Sequence, residues 1–238
     1  MAGVPESAPE APASVIALAD GRSVRAVWRN ELEGVTFEVG DGRDRWFVKW
    51  LPTGTGIDLE EEAARLRWAR PYCVVPGVVA TGSDQEGSWL VTAAIPGTNA
   101  VDDRWKRQPQ IAARAIGAGL RRLHDSLPVE QCPFTWSAED RIASARTFID
   151  APPEVDRLVV CHGDACAPNT LIGEDGECTG HVDFGAMGIA DRWADIAIAT
   201  WSTTWNYGTG WELALLDAYG VAPDEERTAY YRRLWDLT

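Results

Sequence analysis

Asp164, Asn169 and Asp183 are oxygen-bearing side chains delivered by two short apolar runs, in an order that suits phosphoryl transfer. Val159-Val160-Cys161-His162-Gly163 ends in a turn that presents the Asp164 carboxylate. The Asn169 amide follows five residues on, and Thr179-Gly180-His181-Val182 leads to Asp183. A hard cation such as Mg²⁺ takes oxygen ligands and bridges nucleotide phosphates, while a separate carboxylate orients the attacking hydroxyl. Asp164 then reads as the base, with Asn169 and Asp183 as metal ligands. Either pair alone is a common accident of sequence. Their joint order, with a strand before each, carries the reading.

Asp-x-x-x-x-Asn followed by Asp183-Phe184-Gly185 is also the spacing of a protein-kinase catalytic loop, but here the loop opens with His162-Gly163-Asp164 where a kinase has His-Arg-Asp. In this form it resembles the aminoglycoside phosphotransferases, and their 3'-type subgroup in particular. The similarity continues through Pro168-Asn169 and Gly188-Ile189-Ala190-Asp191-Arg192-Trp193-Ala194-Asp195-Ile196-Ala197. Upstream it includes Glu62-Ala63-Ala64-Arg65-Leu66, Ile95-Pro96-Gly97 and Cys132-Pro133-Phe134, so it runs from about residue 46 to the C-terminus. The resemblance implies a two-lobed α+β protein-kinase-like fold, with a small antiparallel-sheet N-lobe and a mostly helical C-lobe. It also implies Mg²⁺-dependent phosphorylation of an aminoglycoside hydroxyl by ATP or GTP, conferring antibiotic resistance. A kinase for another small hydroxylated metabolite or antibiotic, and a nucleotide-binding relic without turnover, are the alternatives.

The elements that must position these groups are legible in outline. Residues 1–13, rich in Pro, Ala and Glu, read as a flexible tail, 14–94 as a nucleotide-binding lobe, and 95–238 as a catalytic and substrate-binding lobe. Apolar runs at Ser14 to Leu18, Val24 to Trp28, Val35 to Val39 and Arg45 to Trp50, broken by Asp20-Gly21 and Gly40-Asp41-Gly42, predict an antiparallel sheet. Lys49 is the one cation inside the apolar part of its run, suited to hold the α and β phosphates as a point charge. A helix is expected from an Asp58 N-cap to the stop at Pro71. Of its three acids, Glu62 adjoins the Leu59, Ala63 and Leu66 face and matches the family segment, which makes it the expected partner of Lys49.

The larger lobe opens with a helix over about Gln110 to Ser126, whose Gly117 and Gly119 suggest close packing and whose His124 reads as helix-end packing. Further roles follow from the resemblance. Relatives use a short loop between the first two strands, which assigns phosphate contacts to Gly34 and Thr36. The connector between kinase lobes assigns adenine recognition to backbone from Thr92 through Ala94 to Ile95. Asp195 takes the place of an acid that bonds the catalytic-loop backbone, and Asp236 with the terminal carboxylate takes that of the anions that hold ammonium groups. Trp205 and Tyr207, in an expected loop from Thr203 to Gly210, are the aromatic candidates for substrate contact, whereas Trp193, Trp201 and Trp235 read as core.

Two departures from the family pattern stand out. The interval between Cys132 and the catalytic strand is shorter by some tens of residues, and Ala186 occupies the position after Asp-x-Gly where relatives often carry Arg. Arg192 is the nearest cation in sequence.

The totals are consistent with this reading. A net charge of −14 disfavours nucleic acid and favours a small cationic substrate. Five cysteines without metal-type spacing fit a reducing cytoplasm, with Cys161 and Cys166 as packing residues. No segment reaches the roughly 20 apolar residues of a membrane span, and no protein partner is signalled.

Overall fold

The structure, a computed structural model, describes residues 3, 5, 9–144 and 148–237. The chain divides into two units, Met1–Arg70 with Pro76–Ile95, and Pro71–Val75 with Pro96–Thr238.

In the first unit the elements are α1 (Ala13–Ala19), β1 (Val24–Arg29), β2 (Val35–Val39), β3 (Trp46–Pro52), α2 (Leu59–Ala69), β4 (Val78–Ser83) and β5 (Gly87–Ala93). The strands form one antiparallel sheet in the order β1-β2-β3-β5-β4. Period-two alternation explains it, since Val35, Phe37 and Val39 are buried while Thr36 and Glu38 between them are partly exposed. The run at Ser14 to Leu18 is helix α1, where a strand was expected. Its Val15 and Ala19, four residues apart, pack into the core formed by Val35, Phe37, Val39, Val48 and Val91. Asp20 (φ 48°) and Gly21 (φ 78°) terminate this helix in the left-handed region and do not make a hairpin. Gly3, within the expected tail, exchanges two backbone hydrogen bonds with Arg29.

In the second unit the elements are β6 (Thr98–Asn99), α3 (Asp103–Lys106), α4 (Pro109–Ser126), α5 (Ala138–Ser144), β7 (Leu158–Cys161), β8 (Thr170–Ile172), β9 (Cys178–His181), β10 (Gly188–Asp191), α6 (Trp193–Tyr207), α7 (Glu212–Tyr219) and α8 (Glu225–Leu237). Strand β7 pairs antiparallel with β10, and β6-β8-β9 form a second small sheet. Helix α4 buries a stripe that includes Ile116, Leu120 and Leu123. A Cβ at Gly117 would come within 2.2 Å of the Leu215 carbonyl oxygen on α7, so glycine is what allows these helices to approach. That contact offsets the roughly 1 kcal/mol that glycine costs in a helix interior. Among the described residues no helix is long and apolar enough to cross a membrane.

Candidate active site

Strand β7 carries the chain to Cys161, and the next three residues turn it sharply. Gly163 has φ 84°, and a Cβ there would lie 2.0 Å from the Ala186 carbonyl oxygen, so both backbone conformation and space require glycine. This is the physical reason for His-Gly-Asp in place of His-Arg-Asp. Beyond the turn, a single 3₁₀ turn at Ala167–Asn169, with Pro168 inside it, brings the Asn169 side chain back. Asn169 Nδ2 donates to the Asp164 carbonyl oxygen at 2.9 Å, which turns the amide oxygen away from that bond.

Asp183 follows β9 with φ 66°, an uncommon conformation for a residue other than glycine. It is held between fixed neighbours. The Val182 N–H donates to the Asn169 carbonyl oxygen at 3.0 Å, and Phe184 is fully buried against the His162 ring with centroids 4.7 Å apart. His162 Nε2 bonds the Val182 carbonyl at 2.9 Å, so its Nδ1 is left to accept from the Asp164 N–H.

Asp164 is half-buried, and its buried Oδ1 has no hydrogen-bond partner among the described residues. Burial and the nearby Asp183 carboxylate raise its pKa, while bonds from Cys166 and Asn169 oppose the rise. Burial and the Asp164 carboxylate push the Cys166 thiol so far up that it remains an S–H donor, which removes it as a nucleophile. Two carboxylates that feel each other, one of them with a buried oxygen that lacks a partner among the described residues, and an amide oxygen make a set of hard donors with excess negative charge. These residues fit Mg²⁺.

The loop is held by an acid that is itself well anchored. Asp195, on α6, accepts from the His162 N–H at 2.6 Å and the Gly163 N–H at 2.9 Å. His124 Nε2 bonds the same carboxylate at 2.9 Å and His124 Nδ1 meets the Tyr219 hydroxyl at 2.8 Å, all of it buried. Burial alone would raise the Asp195 pKa, but the His124 bond and the backbone donors outweigh it and the net shift is downward. His124, Cys161 and Asp195 place three ligand atoms within 4.8 Å of one another. Both Asp195 oxygens and both His124 nitrogens already have partners, so this group reads as framework for the loop. Ser202 adds a further tie, its Oγ accepting from the Ala167 N–H at 2.9 Å.

In the first unit, Lys49 Nζ donates to Glu62 Oε2 at 2.7 Å, and Glu62 is buried although it is charged. Asp58 caps α2 through the Glu60 N–H, and Glu61 pairs with Arg65, so only Glu62 of the three acids turns inward. Thr36 lies directly across from Lys49 in the β2–β3 ladder, on the same face of the sheet. Gly34 serves the turn before β2. Its N–H donates to Asn30 Oδ1, and a Cβ there would strike Leu51 and Asn30.

The model of the phosphotransferase enzyme family matches residues 16–152 and 140–231. The chain is 34% identical to the aminoglycoside 3'-phosphotransferase of Streptomyces fradiae over 219 residues, which cover 77% of this chain and 81% of that one. It is 31% identical to the streptomycin 3''-kinase of Streptomyces griseus, covering 81% and 84%. Among solved structures, an aminoglycoside 3'-phosphotransferase of type VIII superposes with a TM-score of 0.76 at 31% identity over 94% of this chain and 97% of that one. This chain belongs to the aminoglycoside phosphotransferase family. A phosphotransferase of Streptomyces rimosus in complex with ADP and streptomycin aligns over the same 94% with a TM-score of 0.70 and 26% identity. The protein is a phosphoryl-transferring enzyme with the family's two-lobed α+β kinase-like fold.

The remaining expected contacts of this phosphotransferase fare unevenly. Ala94 has its N–H directed to the Arg45 carbonyl at 3.3 Å, and Ala93 its own to Gly77, so an adenine edge would meet the carbonyl of Ala94 and not its donor. Thr92 is a ladder residue of β5 opposite Phe47. Trp205 and Tyr207 lie on α6, which continues through the expected loop. Trp205 is exposed, and the Tyr207 hydroxyl donates to the Ala100 carbonyl at 2.7 Å, which leaves only its ring for a substrate contact. Of the tryptophans expected in the core, only Trp193 is fully buried, whereas Trp201 and Trp235 are partly exposed. Asp236 is exposed on the last turn of α8, and the terminal carboxylate of Thr238 lies outside the described residues. Arg192 is bound to Asp156 at 2.7 Å and is not the substitute for an Arg at 186.

His124, Tyr219 and Ser202 were missed as parts of the site. The one available signal was His124 itself, a polar residue on the buried stripe of α4.

Proposed function

We infer that this enzyme transfers the γ-phosphoryl group of ATP or GTP to a hydroxyl of an aminoglycoside, with Mg²⁺, and so confers resistance. The observation that carries this reading is the Asp164 carboxylate, whose buried Oδ1 has no hydrogen-bond partner among the described residues and which feels the charge of Asp183. Relatives named for aminoglycosides, and a structural neighbour that holds ADP and streptomycin, support the acceptor class.

In this mechanism Asp164 Oδ1 accepts the proton of the attacking hydroxyl and orients its oxygen toward the γ-phosphorus. The Asn169 amide oxygen and the Asp183 carboxylate would hold a Mg²⁺ ion, which when bound would offset phosphate charge. Asp195 keeps the His162–Gly163 backbone, and hence Asp164, at one height. Lys49 holds the α and β phosphates, Glu62 fixes the ammonium by taking one of its three donors, and Thr36 and the turn at Gly34 contribute hydroxyl and backbone contacts. Trp205 and Asp236 are the acceptor contacts in this reading, with Thr92 and Ala94 lining the base. Domain limits near residues 13 and 94 divide the tail, the nucleotide-binding lobe and the catalytic lobe. A cytoplasmic location suits five thiols, none of them in a disulfide.

A kinase for another small hydroxylated acceptor is the second reading. It is favoured by the short interval between Cys132 and β7, by Ala186, and by the pairing of the acids Glu212 and Asp150 with Arg232 and Arg233 of α8.

Mass spectrometry of the protein with Mg-ATP and an aminoglycoside panel tests the proposal, with Asp164→Asn run in parallel. A product heavier by one phosphoryl group and absent with the variant is expected. Phosphorylation of none of the panel by a protein that binds ATP would overturn the acceptor assignment and leave the second reading.

A further inference from the structure

Ala186, directly after Asp183-Phe184-Gly185, brings no charge to the catalytic loop, yet a guanidinium lies close to that loop. The backbone and Cβ of Ala186 lie against Gly163, within 2.0 and 2.9 Å of where a Cβ would be. The carbonyl of that same Gly163 accepts from Trp136 Nε1 at 3.4 Å, and Trp136 is buried. Over its ring lies the Arg141 guanidinium, with Cζ 4.4 Å from the ring centroid. Burial lowers the Arg141 pKa and the charge of Asp164 raises it, so the two groups feel one another. Arg141 comes from α5, some forty-five residues before Ala186 in the chain. Stacking on an indole holds a guanidinium flat and limits its hydration, which suits it to meet phosphoryl oxygens.

We propose that Arg141, seated on Trp136, supplies the guanidinium for the transferring phosphoryl group that Ala186 does not. This rests on the phosphotransferase reading. As the acceptor oxygen bonds to the γ-phosphorus, its proton passes to Asp164. The bond from phosphorus to the bridging oxygen breaks, and its electron pair leaves on the nucleoside diphosphate. Charge on the equatorial oxygens during this exchange is what Arg141 offsets. The assignment also gives the short stretch after Cys132 a function, because α5 seats Arg141 on Trp136, which itself bonds Gly163 of the loop.

The test uses the full-length protein, the aminoglycoside that it phosphorylates most rapidly, and Mg-ATP. Arg141→Met keeps an apolar stem on Trp136 without the charge. Expected are a fall in kcat of about 100-fold, a KM for ATP within about twofold of the parent, and an unchanged melting temperature. Ala186→Arg added to Arg141→Met should recover at least about tenfold of the lost kcat, and so should methylguanidine supplied to Arg141→Met at millimolar concentration. Arg141→Lys should be intermediate, since it restores charge without the planar fork. A folded Arg141→Met with kcat within about threefold of the parent overturns the proposal, as does a loss that neither Ala186→Arg nor methylguanidine relieves. A parent protein that phosphorylates no acceptor overturns the phosphotransferase reading itself, and this proposal with it. That outcome is distinguished by the parent's own inactivity.

Discussion

Lys49 and Asp164, the charges proposed to act in the two units, are mounted in opposite ways. Lys49 is fixed through its own functional atom, with Nζ bonded to the buried Glu62 at 2.7 Å. Asp164 Oδ1 has no hydrogen-bond partner among the described residues, and the turn that carries Asp164 is secured from behind, since Asp195 takes the backbone N–H groups of His162 and Gly163. A cation that binds phosphate by charge loses little by sharing a donor. A base must keep a lone pair available, so its position has to be secured from behind. Stability and activity are therefore coupled differently in the two units.

The largest effect expected is on rate. Asp164→Asn should lower kcat by about a thousandfold and leave the melting temperature equal or higher, because burial already disfavours that carboxylate. Enzyme assay beside calorimetry checks both; a clear loss of stability would break the contrast with Asp195. Asp195→Asn should do the reverse in emphasis, with a loss of about 3 kcal/mol or more of folding stability. It sets an amide against two backbone donors in a fully buried place. Urea unfolding measures this, and a midpoint equal to the parent's would show that the loop does not depend on the acid.

Glu62→Gln should be milder, raising the KM for nucleotide about tenfold with kcat less affected, as expected when a ground-state clamp loses its anchor. An unchanged KM would mean that Lys49 is held by the sheet alone.

The smallest effect is a pH trend. Burial, helped by the nearby His162, depresses the His181 imidazole from its ordinary 6.5 to about 3. Between those values the unfolded chain takes up a proton that the native chain refuses. Stability is thus full above about pH 6.5 and declines as the pH falls toward 3. Urea midpoints in EDTA should drop by about 1 kcal/mol equivalent between pH 7.5 and 5.5, and His181→Gln should flatten the slope. A parent whose midpoint does not change over this range would mean that His181 titrates normally.

What the sequence by itself determined is what local order can encode. The spacing of His162-Gly163-Asp164, Asn169 and Asp183-Phe184-Gly185 places oxygen-bearing side chains after two strands, and the Lys49 strand and the Glu62 face of α2 follow from periods of two and 3.6. Asp195 was also legible, because it sits at a fixed distance along the family motif. Tertiary structure decided the rest. The run at Ser14 to Leu18 is apolar enough for strand or helix, and only packing of Val15 and Ala19 on the sheet selects the helix. Helix α6 runs on through Trp205 and Tyr207, since Ser202 and Asn206 find partners within it and on the catalytic loop.

His124 meets Asp195 across 71 residues and Tyr219 across 95, and Arg141 reaches the loop through Trp136. No periodicity records such pairs, because a hydrogen bond between distant residues depends on how elements pack and not on the spacing within any one of them.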